Sequence, residues 1–194
     1  LMPTGQNTVT VYGATDDPGN IYVSRAHWII DYQPGALLAG EIYTFGNSGD
    51  RTFVGRKVEG MAEPGTLELH VPEGATEISL DDGALGDRFQ QVGSTIYDTL
   101  PVIPGTDTRQ IVLRYAVPYN GTSLDLMQDF VYPVDQLSLL IADAPGLKAE
   151  VSAMEPAGIQ ELTGQNFQIW RGSDSEPQTI EVAIQNLPQT SDIA

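Results

Sequence analysis

The chain has no cysteine, which removes disulfide frameworks, thiolate nucleophiles and zinc–thiolate centres together. Histidine is scarce: His27 and His70 are the whole supply of imidazole for a general base or a metal ligand. Basic side chains number 9 against 26 acidic ones, for a formal net charge of -17. Such a field repels phosphate backbones and anionic lipid surfaces, so nucleic-acid binding is not expected. The phosphate-cradling Gly-x-x-x-x-Gly-Lys string is missing as well. No run reaches the ~20 apolar residues that span a bilayer, so membrane attachment is expected only through an anchor beyond Ala194. Helical periodicity is nearly absent.

What is there is alternation. Leu67, Leu69 and Val71 are separated by Glu68 and His70. Ile111, Leu113, Tyr115 and Val117 share one parity, as do Leu124 with Leu126, Leu137 with Leu139 and Ile141, and Ile180 with Val182 and Ile184. A period of two with one apolar face reads as half-buried strands of antiparallel sheets. Turn clusters punctuate them, among them Gln33-Pro34-Gly35, Glu63-Pro64-Gly65, Pro104-Gly105 and Pro145-Gly146. Proline presets its own φ and glycine supplies a positive one, so each cluster is a turn with a mechanism. Asn120-Gly121 is the strongest hairpin signal.

The expected class is all-β, an antiparallel β-sandwich. The segment Pro101–Asp107 is the boundary candidate. It yields an N-terminal strand and turn over 1–20, two tandem Ig-like or fibronectin-like sandwiches over 21–103 and 104–188, and a tail over 189–194. One large sandwich is the alternative. Hydrophobic residues at 41% supply a real core.

Several strings carry a family likeness: His27-Trp28-Ile29-Ile30, Glu41 through Gly55, Val71-Pro72-Glu73-Gly74-Ala75, Pro101 through Gly105, and Val112 through Tyr119. With these, Ile21–Leu187 resembles an uncharacterised family of bacterial, Chloroflexi-like extracytoplasmic β-sandwich regions. Those regions are membrane-anchored and sometimes lie near carboxypeptidase-regulatory-like domains. The resemblance implies export to the cell surface or medium, and it brings no catalytic residues with it.

The chemistry available is thin. Gly46-Asn47-Ser48-Gly49-Asp50 is similar to the nucleophile loop of trypsin-like proteases, but such a serine needs a histidine base and a carboxylate behind it. Here the string reads as a turn. With Ile21–Asp31 as a strand, His27 shares a face with Ile21, Val23 and Ile29 and points inward, whereas His70 faces water. Calcium prefers several hard oxygen ligands on one loop. Asp81, Asp82 and Asp87 are the candidate set, with Asp16, Asp17 and Asn20 a second one, although Asp and Asn are also ordinary turn residues. Trp170 falls opposite Phe167 and Ile169, so it faces either outward, where it could stack on a sugar, or a second core.

The expected function is therefore a non-enzymatic structural or protein-interaction module of the cell envelope, extracytoplasmic, with no cofactor beyond a structural calcium ion. Its partners would be other envelope proteins or copies of itself; the strand over residues 4–12 is expected to pair in cis by default, with strand addition to a neighbour as the alternative. A carbohydrate- or calcium-binding module is the second reading and a hydrolase the third.

Overall fold

The computed structural model describes residues 10–174 and 178–189. Every regular element among them is a strand: β1 (Gly13–Thr15), β2 (Ile21–Gln33), β3 (Ala36–Asn47), β4 (Arg51–Phe53), β5 (Leu67–His70), β6 (Thr76–Leu80), β7 (Phe89–Val92) and β8 (Thr95–Asp98), then β9 (Gly105–Pro118), β10 (Ser123–Phe130), β11 (Val134–Ala142), β12 (Lys148–Val151), β13 (Glu155–Leu162), β14 (Gln165–Asp174) and β15 (Gln178–Gln185). The main sheet has seven strands in the order β13-β14-β11-β2-β3-β9-β6. Its neighbours run antiparallel except for the parallel pair β11 and β2. Two three-stranded sheets, β10-β15-β12 and β5-β8-β7, pack against it through a common core, and β1 pairs in parallel with β4.

The alternation read from the sequence sets the core. Leu67, Leu69, Ile111, Leu113, Tyr115, Val117, Leu137, Leu139, Ile141, Ile180, Val182 and Ile184 are all buried. The tightest hairpin joins β2 to β3, with Gln33 paired to Ala36 and Pro34-Gly35 as its two-residue loop. Gly35 has φ 87°, the value required at the third position of a Pro-Gly turn.

Two expectations differ from what forms. The division near residue 104 is not adopted. β2 and β3, from the first half, are hydrogen-bonded between β11 and β9 from the second. One core takes Trp28, Phe53 and Leu67 from before the boundary and Leu113, Val134 and Trp170 from after it. The boundary segment itself is pinned, because Val102 and Phe53 exchange backbone hydrogen bonds of 2.9 and 3.0 Å. The result is one sandwich with interleaved halves, since partner choice between distant strands leaves no mark in local alternation.

Asn120-Gly121 does not close a hairpin. β9 pairs with β3 and β6, while β10 pairs with β15, so the turn carries the chain from one sheet to the other. A turn sets a reversal of direction; which edge the next strand finds is decided by packing. As for the opening strand, residues 4–9 lie outside the described ones. Residues 10–12 form no strand, and among the described residues the first pairing is β1 on β4.

Candidate functional site

The site is prepared by matched irregularities in β2 and β11. In β2 the inward positions are Ile21 and Val23, then Ala26, Trp28 and Ile30, a change of phase between 23 and 26. The register against β3 slips at that point: Val23 pairs with Phe45 and Arg25 with Thr44, leaving Ser24 as an extra residue. A bulge of this kind reverses which face later side chains take. Arg25 and His27 consequently point to the outer face, contrary to the inward placement expected for His27. β11 changes phase at the same level, with Val134 beside Val23 and Leu137 beside Ala26, and it slips by one residue against β14. Asp135 and Gln136 are exposed there.

These two strands and β13–β14 enclose an open cleft of about 870 Å³ on the outer face of the main sheet. One row of cross-strand neighbours runs along it, Glu155, Arg171, Ser138 and His27. Arg25 stands two residues before His27, and Asp135 closes the near end. β13 has its own irregularity beside the cleft, between Pro156 and Gly158. Ala153, on the rim, holds φ 54°, a conformation that costs a residue with a Cβ about 1 kcal/mol or more. The His27 imidazole is pushed down from its ordinary value, first by partial burial and then by the Arg25 guanidinium, so it is neutral at pH 7. Arg25 and Arg171, like Arg51, Lys57 and Lys148, form no ion pair with a described residue, while Arg56, Arg88, Arg109 and Arg114 all do.

Two carboxylates sit inside the molecule instead. Glu41 belongs to the apolar face of β3, in phase with Leu37, Ala39, Tyr43 and Phe45. It is completely enclosed. Its Oε1 accepts a hydrogen bond from the Tyr115 hydroxyl at 2.5 Å, and its Oε2 accepts one from Tyr43 at 2.5 Å. Gln128, on β10 of the facing layer, donates to Oε2 at 3.4 Å and to the His70 carbonyl at 2.7 Å. Burial pushes the Glu41 carboxyl up to about 7, against the lowering effect of the two tyrosine hydrogen bonds. Asp98 is equally enclosed but is met by cations: Arg88 Nε and Nη2 at 2.8 Å each and Arg109 Nη1 at 2.6 Å. Neither acid stands among the candidate site residues of the sequence. The signal for Glu41 was its phase, since a glutamate within an alternating apolar stripe must be paid for by internal hydrogen bonds.

The calcium candidates are not brought together. Asp81 turns its carboxylate onto Arg114 and Asp82 turns onto Arg88, while Asp87 is an exposed turn residue. The Arg114 hydrogen bonds hold the Asp81 carboxyl below its ordinary value. Asp17 caps its own turn by accepting from the Gly19 amide at 2.9 Å. No group of three His, Asp or Glu side chains among the described residues is placed to hold a metal ion. Ser48 donates to the Asn20 carbonyl at 3.2 Å, and Asn47 is buried with its amide on the Arg51 and Val102 carbonyls. That loop is a structural tie. His70 Nδ1 lies 3.4 Å from Asp129 Oδ2. Trp170 does fall opposite Phe167 and Ile169, but it faces the main core, and the other two join Leu140 and Ala142 in a second small cluster on the outer face.

No protein-family model and no curated relative matches the sequence. Among solved structures, the fold is similar to an M1 zinc metallopeptidase from Deinococcus radiodurans, with TM-score 0.47 and 13% identity over 86% of this chain and 42% of that one. A two-domain M1 zinc metallopeptidase bound to L-tryptophan gives TM-score 0.46 and 12% identity over 86% of this chain and 43% of that one. The chain thus spans less than half the length of these structures.

Proposed function

We propose that this chain is a non-enzymatic recognition module of the cell envelope, extracytoplasmic, which holds its partner on the outer face of the seven-stranded sheet. The observation that supports this most directly is the cleft between β2, β11 and β13–β14. In a molecule of net charge -17, two arginines there stand without an ion-pair partner among the described residues. Both are exposed, and an exposed guanidinium beside a concavity is open to a ligand. The non-catalytic reading draws support from the buried acids, each already engaged by internal partners, Glu41 by two tyrosines and Asp98 by two arginines. Placement outside the cytoplasm rests on the family resemblance.

The test is a ¹H–¹⁵N spectrum of the chain titrated with glycine, acetate, ethylammonium and inorganic phosphate, while the compounds themselves are followed by ¹H signals. Saturable shifts confined to residues around Arg25, Ser138 and Arg171, with every compound intact, are the expected result. Conversion of a compound, or no saturable shift in the cleft, would overturn the proposal.

A further inference from the structure

Resting on that reading, we infer that the cleft takes a zwitterionic ligand, one carrying a carboxylate and an ammonium group, as a free amino acid or a short peptide does. The charges that line it are balanced: Arg25 and Arg171 against Asp135 and Glu155. The planar guanidinium fork suits a carboxylate and needs an anion to complete it. A polyanion is disfavoured twice, locally by Asp135 and Glu155 and globally by the -17 charge of the chain. A simple cation would leave both arginines unused and repelled. Only a ligand with both signs satisfies all four side chains.

The order across the sheet fits this division. Glu155 and Arg171 are direct cross-strand partners on β13 and β14. Opposite charges so placed commonly pair, yet no ion pair joins them, so each presents its charge to the cleft. On the far side, Arg25 and Asp135 stand on β2 and β11 where the matched irregularities push both outward. Between the charged flanks lie neutral hydrogen-bonding groups, Ser138 and the uncharged His27, suited to an amide or a ligand backbone. A volume of about 870 Å³ is at the upper end of small-ligand sites and admits several residues of peptide.

The experiment titrates glycine, diglycine and triglycine, which step the two charges apart, against acetate, ethylammonium and inorganic phosphate, all at pH 7. Side-chain Nε signals of Arg25 and Arg171 are the readout. One zwitterion is expected to bind up to about fivefold more tightly than acetate, the upper range of an exposed ion pair. Glu155→Gln should erase that advantage, with acetate holding or tightening as a negative charge beside Arg171 is removed. Arg25→Gln with Arg171→Gln should weaken both by about tenfold or more. Acetate or phosphate binding as tightly as every zwitterion would overturn the ligand class and leave the recognition site standing. Silence at both arginines with all six compounds would overturn both.

Discussion

Glu41 shows how much one residue can set. Its carboxyl is raised to about 7 in the fold, against an ordinary value of 4.5. Between those two values the folded chain keeps a proton that the unfolded chain has released, so stability falls as pH rises through the window. At about 1.4 kcal/mol per pH unit the loss comes to roughly 3 kcal/mol by pH 7 and is complete just above it. Glu41→Gln should flatten that part of the profile, measured as the urea midpoint at pH 5 and at pH 8. An undiminished fall in the variant would assign the effect to another group. Asp98 is the opposite case, a buried acid held by buried cations. Asp98→Ala should cost about 3–5 kcal/mol, because Arg88 and Arg109 lose the charge they were desolvated against. Asp98→Ala combined with Arg88→Met should recover part of it, and no recovery would mean that the loss is one of packing.

Strands and turns respond to different physics. Gly35 has open space around its missing Cβ and a φ of 87°, so Gly35→Ala should cost about 1 kcal/mol through backbone strain alone. Gly46 has no such φ, but a Cβ there would sit 2.4 Å from the Tyr22 ring of the neighbouring strand. Gly46→Ala should cost about 1–3 kcal/mol by overpacking, and Tyr22→Ala should relieve it in a double-mutant cycle, where purely additive losses would refute the clash. Of these elements the strand positions and the Pro34-Gly35 turn were legible from alternation and turn chemistry. The bulge in β2 leaves a trace too, the change of phase from Val23 to Ala26, which breaks the alternation of an otherwise continuous strand. His27 was misplaced by that single step. The polar row across β13, β14, β11 and β2 has no local signature, because its four members come from four separate strands.

At the scale of the molecule, the interleaving of halves has a measurable consequence. Trp28 and Trp170 come from opposite sides of the expected boundary and share one core. They are also linked through Leu139, which pairs with each of them in the main sheet. Unfolding in urea should therefore be a single transition, coincident by tryptophan fluorescence and by far-ultraviolet circular dichroism. Two separated transitions, or independent folding of residues 104–188, would restore the two-sandwich division.

Composition and alternation by themselves determined the class of fold, the core-facing set on most strands and the exclusion of thiol chemistry. They could do so because burial on a pleated strand has a period of two, and a missing residue type cannot act. Tertiary structure alone decided that one sandwich forms rather than two. It also decided that Asp81 and Asp82 pair with two different arginines, and that Arg25, His27, Ser138 and Arg171 line one cleft. Each of those outcomes depends on which distant strands pair and in what register, and pairing energy is nearly indifferent to sequence until the opposing faces are packed.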